Sequence, residues 1–380
     1  MRSLVPDETA KGDRQVTLIR KIVMESLTFG VHGLGLRFGG LPTGQGFALG
    51  PQFSRYGLAN GRLVLRVSAA GSSARAYLLD FQLTAPSLAS RRLFLDFVSS
   101  LGNYPRIDYY GPGPDSRKGG RSHFRLRENR YDLIVGTRLA EHVHLGFTGG
   151  YLGMDVGTGN RKDVAHAAAL YPDETSSWLG KRTDFLRGGA FLRLDYRDDP
   201  IGPRSGGMYR AQFHAYDGRG AGRPSFRQLD LEVRQYTPFF NERRVVALAG
   251  AATMSFPEDA GAVPFFLQPT LGGSDDLRGF RSYRFYDNHA VLVNAEYRWE
   301  AFSGLDIALF IDAGKVTPKR SQLNFHSLEA STGFGFRFNA RNRTFLRIDT
   351  GFSHEGIQVW VKFGEPPPER IRETAISGRR

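Results

Sequence analysis

The residues of this chain best suited to ionic chemistry are one arginine and two carboxylates that follow it closely. Arg278 lies in the segment LRGF, and Glu296 and Asp312 lie in the next two strand-like segments, VLVNAEYRW and ALFIDAGKV. A planar guanidinium can bind two carboxylates at once, and such charge-assisted pairs are strongest where water is partly excluded. Gly279 permits a tight bend beside the arginine, and Phe280 can wedge against aromatic rings. We therefore predict that this loop folds inward and that Glu296 and Asp312 receive the arginine.

The predicted ion pair has two interpretations, one functional and one structural. In the first, Arg278 is a latch that holds the loop of residues 257–288 inside a barrel and sets the state of the seam where the barrel closes. In the second, the loop is a plug that only stabilises a wide barrel. Removing one partner of a buried pair costs roughly 3–5 kcal/mol in either case, so the sequence leaves both interpretations open.

The remaining polar residues give little indication of catalysis. The sequence has no G-x-S-x-G elbow, no HExxH, no P-loop and no cysteine, so the common nucleophile, zinc and phosphate motifs are missing. His142 and His144 share one strand face beside a tight turn and are expected to be exposed. Asp198 and Asp199 precede Pro200 and are typical turn formers. We predict a protein that is not an enzyme and that uses no metal and no cofactor.

The elements that must position Arg278 and its partners are predicted to be strands. The 380 residues include 46 glycines, 29 phenylalanines and 15 tyrosines, a composition typical of many strands and turns and few helices. Mean hydropathy is −0.34, and no window approaches the roughly eighteen apolar residues of a membrane helix. These values fit a soluble all-β protein. They equally fit an outer-membrane barrel, whose strands alternate between lipid-facing apolar and lumen-facing polar residues.

The formal net charge of +13 and the isoelectric point near 10.0 raise the question of nucleic-acid binding. The basic residues, however, recur singly between apolar neighbours and rarely form a run, as at Arg187, Arg193, Arg234 and Arg298. That distribution is typical of a charged barrel lumen, and the many aromatic residues are then assigned to the lipid interface. We predict no nucleic-acid partner.

Period-two alternation of apolar and polar residues is the main structural signal. In residues 290–301, Val293 and Tyr297 occupy one face, and Glu296 and Arg298 occupy the other. Most alternating segments run ten residues or longer, which favours tilted membrane strands of about nine to eleven residues over the five or six typical of a sandwich. We count sixteen strands, an even number as bacterial single-chain barrels require.

The connections between these strands sort by length. Residues 105–122, 157–182 and 257–288 form long connections on one side, and the junctions of the other side are tight. Long outer loops and short periplasmic turns are typical of outer-membrane barrels. We predict an all-β fold, a single transmembrane antiparallel β-barrel of about 16 strands with loop 257–288 folded into the lumen.

The barrel is predicted to form one domain over residues 26–363. Residues 1–25 lack the apolar core of a signal peptide, and we expect a disordered segment or a truncated leader or linker there. Residues 364–380 are rich in proline and charge, and we expect a disordered C-terminal tail.

Six motifs in order give this barrel a family resemblance. They are YYGPGPDSR (109–117), DYRDDPIGPRSGG (195–207), LRGF (277–280), AEYRW around Glu296, LFIDAG around Asp312 and GFGFRF (333–338). With them the chain resembles the BamA/TamA-type bacterial surface antigen superfamily, over roughly residues 100–363. The resemblance implies an integral outer-membrane barrel that inserts or translocates other proteins. It also implies that Arg278 lies in the lumen and that Gly333, Gly335 and Arg337 belong to a strand of small residues.

The sequence departs from that family in two respects. Family members usually carry POTRA domains before the barrel, and we expect a member without them. The family barrel normally ends in an aromatic residue, whereas Phe363 is followed by a tail. The resemblance implies outer-membrane lipids and unfolded outer-membrane proteins as partners, and it specifies no accessory lipoprotein.

The seam between the first and last strands is the predicted working part. The first strand contains Gly30, Gly33 and Gly35, and the last, GIQVWVKF, is short and contains Trp360 and Phe363. Glycine weakens strand pairing, and a poorly paired seam exposes backbone that can template an incoming strand; alternatively, the glycines only relieve crowding. Two functions follow: an insertion or translocation barrel, or a passive outer-membrane channel or structural barrel gated by the long inward loop.

Overall fold

Sixteen strands dominate the computed structural model, which describes residues 33–88, 92–200, 202–219, 224–240, 243–258, 262–340 and 343–363. The strands are Leu34–Phe38 (β1), Ala48–Gly57 (β2), Leu63–Ser72 (β3), Tyr77–Leu88 (β4), Leu93–Tyr109 (β5), Ser122–Ala140 (β6), Val143–Gly157 (β7), Arg182–Asp195 (β8), Gly206–Gly218 (β9), Phe226–Phe239 (β10), Arg244–Pro257 (β11), His289–Phe302 (β12), Leu305–Thr317 (β13), Glu329–Ala340 (β14), Arg343–Ser353 (β15) and Gly356–Phe363 (β16).

Each of these strands pairs antiparallel with its neighbour along the chain, from β1–β2 through to β15–β16, and together they form one curled sheet. This arrangement is a nearly closed barrel, with β1 and β16 as its two edges. The predicted all-β fold and the count of sixteen strands are confirmed. Within the ranges given above, no helix is long and apolar enough to cross a membrane.

The remaining elements are short and lie in the connections. Two-residue strands are Ala165–His166, Thr270–Leu271 and Phe285–Tyr286, and single helical turns are Ala167–Leu170, Pro172–Thr175, Lys118–Gly120, Phe265–Leu267 and Arg320–Gln322. The segment Leu58–Gly61 between β2 and β3 is a tight turn and not a helix, because Ala59 and Asn60 have φ values of 51° and 60°.

Alternation along the strands separates a lipid-facing surface from the lumen. On β12, Trp299 faces outward and is 45% exposed, whereas Glu296 faces the lumen and is 8% exposed. On β16, Val359 and Val361 face outward, and Trp360 between them faces the lumen. Apolar residues outside and polar residues inside are the pattern of a barrel in a membrane.

Three long connections on one side of the barrel pack into an apolar cap at that end of the lumen. They join β5 to β6, β7 to β8 and β11 to β12. The cap includes Tyr109, Phe124, Phe265 and Tyr286, whose rings meet at centroid distances of 4.9 Å for Tyr109–Tyr286 and for Phe124–Phe265. The assignment of the aromatic residues to the lipid interface was therefore wrong for this group, because loop rings and lumen-facing strand rings bury one another.

The ends of the predicted barrel differ in how far the structure describes them. The first described strand begins at Leu34, so the predicted start at residue 26, the segment 1–25 and Gly30 lie outside the described residues. The last strand ends at Phe363, as predicted. The tail of residues 364–380 also lies outside the described part of the chain.

Candidate functional site at the lumen loop and the strand seam

Arg278 is buried in the lumen and bonded to both carboxylates predicted to receive it. Its Nε and Nη2 donate to the two oxygens of Asp312 at 2.9 and 2.7 Å, and its Nη1 donates to Glu296 Oε2 at 2.6 Å. The guanidinium also lies over the ring of Phe310, 3.4 Å from the centroid. The backbone N–H of Arg278 donates to Asp312 as well, at 3.1 Å. Side chain and backbone of the loop are thus held by the same acid.

Strand register places the two acids side by side. Because β12 and β13 pair Glu296 with Phe310 and Asn294 with Asp312, the two carboxylates share the lumen face one pleat apart. Asn294 Nδ2 donates to Asp312 at 2.8 Å, and Ser331 Oγ lies 3.3 Å from it. Asp312 is fully buried, and these donors offset the cost of removing its charge from water.

The ion pair continues into a larger charged network on the lumen wall. Glu296 also accepts from Arg298 at 2.7 Å and from Arg337 at 2.9 Å. Arg337 bonds Asp349 at 2.5 Å, and Arg347 lies 2.6 Å from the same acid. Four strands, β12 to β15, together with the loop between β11 and β12, therefore share one set of buried charges.

The small residues of the strand predicted at residues 333–338 leave room for the side chains of this network. A Cβ at Gly335 would lie 2.0 Å from Asp349 Oδ1, and a Cβ at Gly333 would lie 2.1 Å from the carbonyl oxygen of Thr350. Both distances are far below van der Waals contact. The glycines of β14 thus permit the close approach of Asp349 and Arg337, and sequence reasoning missed Asp349 although alternation in β15 places it on the lumen face.

Gly279 is required for space and not for a left-handed bend. A Cβ there would lie 2.6 Å from Ser331 Cβ and 2.7 Å from the carbonyl oxygen of Phe352. On the facing strand, a Cβ at Gly351 would lie 2.3 Å from the carbonyl oxygen of Arg278. Two glycines therefore let the backbone of the loop lie directly on β15.

Phe280 is fully buried beside the loop backbone. Its ring contacts Phe285 at 5.3 Å and His354 at 5.4 Å between centroids. Ser353 Oγ donates to the carbonyl oxygen of Gly279 at 2.8 Å. The predicted wedge thus packs between its own loop and the turn that joins β15 to β16.

The loop is also bonded to the last strand of the barrel, at two points. Trp360 Nε1 donates to the carbonyl oxygen of Arg278 at 2.7 Å, and Lys362 Nζ contacts both oxygens of Asp275 at 2.6 Å. Burial raises the pKa of Asp275, but the charges of Lys362 and Arg347 outweigh it and lower this pKa to about 2. Asp275 is therefore ionised at neutral pH, and the loop carries a charge that β16 neutralises.

The outer end of the loop has a second anchor, which no sequence pattern indicated. Arg284 donates to Glu355 at 2.8 Å and to the side chain and backbone oxygens of Ser116 at 2.7 and 2.6 Å. Its guanidinium lies 4.8 Å from the ring centroid of Tyr110 and 4.5 Å from that of Phe285. The loop is thus tied to the β15–β16 turn and to the β5–β6 connection.

The seam is weakly joined in the part of the chain that the structure describes. No backbone ladder connects β1 to β16 there. The ring of Phe363 in β16 lies 6.4 Å from that of Phe38 in β1 and 6.3 Å from that of Phe47 in the β1–β2 connection. Gly35 lies in β1, whereas Gly33 precedes it in a turn with φ +89°. The carbonyl oxygen of Gly33 accepts from the backbone N–H of Ser54 at 2.8 Å, so contact with β2 extends to this residue, the first that the structure describes.

A cavity of ≈ 1310 Å³ lies between the loop, the network and the seam. Its wall includes the β1–β2 connection at residues 39–47, the end of β16 and the β8–β9 turn. Arg278 and its partner Glu296 both line it. Seam, loop and charged network therefore border one space.

These features define a class of protein: a sixteen-stranded membrane barrel whose inward loop is bonded by arginine to lumen acids. Residues 60–355 match the model of the Omp85 superfamily domain. The chain belongs to the Omp85 superfamily, a family of outer-membrane β-barrels. The sequence-based resemblance is thereby confirmed. No curated protein matches the sequence.

Solved structures of the same fold are similar to this chain at low identity. BamA from Haemophilus ducreyi lacking POTRA domains 1–3 has a TM-score of 0.65 and 14% identity, over 87% of this chain and 69% of that one. CdiB from Escherichia coli has a TM-score of 0.57 and 14% identity, over 86% and 61%. CdiB from Acinetobacter baumannii has a TM-score of 0.50 and 12% identity, over 87% and 56%. This chain thus spans less than two thirds of either CdiB.

Proposed function

We propose that this barrel assists the insertion, assembly or translocation of other polypeptides, through transient opening between β1 and β16. The observation that carries the proposal is the edge of β16, which pairs with β15 on one side and has no β1 ladder among the described residues on the other. An unpaired strand edge is a template for an added strand. The client is an unfolded outer-membrane protein.

The loop contacts support a role for Arg278 as a latch in this opening. Arg278 bonds β12 and β13 through its side chain and β16 through its carbonyl oxygen. Lys362 binds the same loop through Asp275. A rigid tie from the loop to β16 holds that strand in place, so seam opening requires motion of β1 or release of the loop.

The second candidate, a passive channel, has one supporting observation, the charged cavity of ≈ 1310 Å³. The apolar cap opposes it, because the lumen-facing rings of β5 to β10 and the long connections bury one another at the outer end. Ions would have to cross this cap. The cap therefore favours a barrel that opens sideways over one that conducts along its axis.

The experiment that tests the proposal follows the folding of a urea-denatured outer-membrane protein into liposomes that contain this chain. Cysteines introduced at Phe38 and Phe363, joined by a short bis-maleimide, lock the seam, and since the chain has no cysteine of its own, no other thiol reacts. The same double-cysteine protein without the cross-linker is the matched control. Arg278→Ala tests the latch.

We expect wild-type protein and the uncross-linked control to accelerate client folding, and the cross-linked protein to lose that acceleration. We expect Arg278→Ala to change the rate, because the loop is then released from β12 and β13. Client folding no faster than in empty liposomes would reject the insertion role. Acceleration that survives the cross-link would reject the seam as its route.

A further inference from the structure

The lipid-facing side of the barrel carries a charged row that the seam and the loop do not use. Strand register places five outward residues directly beside one another across β4 to β8: Tyr77, Asn103, Arg127, Asp155 and Arg182. All five lie at the end of the barrel that carries the long connections. On a tilted strand this is the end that meets the outer membrane interface.

The neighbouring rows show that the outward surface becomes more apolar toward the short turns, while Asn129 and Asp184 still lie in the row next to the arginines. A step of two residues along each strand, toward the short turns, gives the next outward row. It consists of Leu79, Leu101, Asn129, Gly153 and Asp184. Another step of two residues in the same direction gives a third row, Phe81, Ser99, Tyr131, Tyr151 and Leu186. The rings of Tyr131 and Tyr151 lie 6.2 Å apart, and aromatic residues of this kind mark the edge of the hydrocarbon region. The arginines therefore lie just beyond that edge.

Arg127, at the centre of the row, is exposed and has no acidic partner among the described residues. Its one side-chain hydrogen bond is to Asn103 Oδ1 at 3.4 Å, and no carboxylate of the described residues lies within ion-pair distance of it. Arg182 is 51% exposed and bonds Asp184 and Tyr151, each at 2.8 Å. Ion pairs this exposed are weak, so a stronger anion can replace the carboxylate.

Two more arginines increase the positive charge of this surface. Arg125 lies one pleat beyond Arg127 on the same face and contacts Asp155 at 2.6 Å. Arg75 lies exposed in the β3–β4 turn, and its carbonyl oxygen accepts from Asn103 at 3.0 Å. Four arginines thus surround the two aspartates of the patch, Asp155 and Asp184, and leave a net positive charge.

We propose that this row, with Arg127 and Arg182 as its principal residues, binds the phosphate groups of a membrane lipid headgroup in the outer leaflet. The guanidinium group binds phosphate through paired hydrogen bonds. The same outward face carries apolar residues such as Leu79, Leu101 and Leu186 nearer the membrane centre, so a ligand with acyl chains can cover those residues and place its phosphates at the row. Inorganic phosphate could bind the arginines of the row but would leave the apolar residues uncovered.

The test measures lipid binding to the full chain folded in detergent micelles, by native mass spectrometry. The probes are lipid A with two phosphates, lipid A with one phosphate, and inorganic phosphate. The variants are Arg127→Gln with Arg182→Gln, and Arg227→Gln as the matched control. Arg227 is an outward arginine at the same end of β10, 59% exposed and 2.7 Å from Glu258, but outside the row.

We expect lipid A with two phosphates to bind more tightly than the form with one. An arginine near an anionic lipid contributes about fivefold in affinity, so the double variant is expected to lose about 25-fold. Arg227→Gln is expected to bind as the wild type does. Equal losses in the double variant and the control would overturn the proposal, and so would full displacement of the lipid by inorganic phosphate at equal concentration.

A second variant keeps the proposal testable if the double variant does not fold. Asp155→Asn leaves Arg127 and Arg182 intact and removes a carboxylate that competes for Arg125. We expect it to bind lipid A with two phosphates about fivefold more tightly, since one more arginine becomes available. Unchanged or weaker binding would contradict a phosphate site at this row.

Discussion

Arg278 matters energetically because both of its acidic partners are buried and remain so when it is removed. Asp312 is 0% and Glu296 8% exposed. We expect Arg278→Ala to lower the free energy of unfolding by roughly 3–5 kcal/mol, as is usual when one member of a buried pair is lost. Urea unfolding in micelles, followed by circular dichroism, measures this loss.

Two further variants separate the latch from a general effect of charge. Arg227→Ala removes an exposed pair with Glu258 and is expected to cost no more than about 1 kcal/mol. Arg278→Lys keeps the charge but cannot bond two acids with one planar group, so we expect an intermediate loss. A loss in Arg278→Ala no larger than in the surface variant would contradict the buried network.

Asp287, near the end of the inward loop, makes the stability of the folded protein depend on pH. Burial raises its pKa to about 6, against the opposing effect of a hydrogen bond from the backbone N–H of Asn288. Because this folded-state pKa lies above the ordinary value, the stabilisation by protonated Asp287 is fully present below about pH 4 and is lost as pH rises through about 6.

We expect Asp287→Asn to remove this dependence, because the amide is neutral throughout and still accepts from Asn288. At pH 7 the variant is expected to be about 3 kcal/mol more stable than the wild type, and at pH 4 the two are expected to be equal. Thermal unfolding across this range measures the difference. A constant difference between the two proteins at every pH would contradict the assignment.

Individual partners could be predicted from the sequence only where alternation within one strand was sufficient. Glu296 and Asp312 face the lumen by strand periodicity, in the two strands that follow Arg278 along the chain. The contacts of Arg284 with Glu355 and of Asp275 with Lys362 depend on how the loop lies against β15 and β16. No local pattern encodes that placement.

At the scale of elements, contact between the loop and β15 depends on glycine. A Cβ at Gly351 would meet the carbonyl oxygen and carbon of Arg278 at 2.3 and 2.4 Å, and backbone cannot yield as a flexible side chain does. We expect Gly351→Ala to displace the loop and to cost about 1–3 kcal/mol. Protease cleavage within residues 262–288 measures the displacement.

Gly149 is the matched control for this substitution, since it also lies inside a strand but has open space where its Cβ would be. We expect Gly149→Ala to leave the loop protected and the stability unchanged or slightly higher. If both variants expose the loop to protease equally, close packing against Gly351 is not what holds it.

Strands were predictable here and the seam was not, for a physical reason. Alternation over ten or more residues defines a membrane strand even without its partners, so the long strands could be predicted. Around the first strand, Gly33 and Gly35 have no side chain to carry the alternation, so the sequence pattern there does not define how the first strand meets the last.

At the scale of the whole molecule, the apolar cap is the feature that decides between a lateral opening and an axial channel. It combines strand residues that are far apart in sequence, such as Tyr104, Phe185 and Phe226, with loop residues such as Phe265 and Phe266. Aromatic residues at strand ends are common on both faces of a barrel. Composition therefore could not show that these rings point inward.

If the cap closes the lumen, the wild-type protein is expected to show little steady conductance in a planar lipid bilayer. Replacing Phe265 and Phe266 by alanine removes two rings from the centre of the cap and is expected to raise conductance, while the paired strands keep the barrel intact. Phe334→Ala, which removes a ring from the lipid-facing surface, is expected to leave conductance unchanged. A wild-type protein that conducts steadily, unaffected by loss of the two cap rings, would contradict a closed cap and favour the passive channel. Low conductance that rises only in the cap variant would leave the seam between β1 and β16 as the route by which this barrel opens.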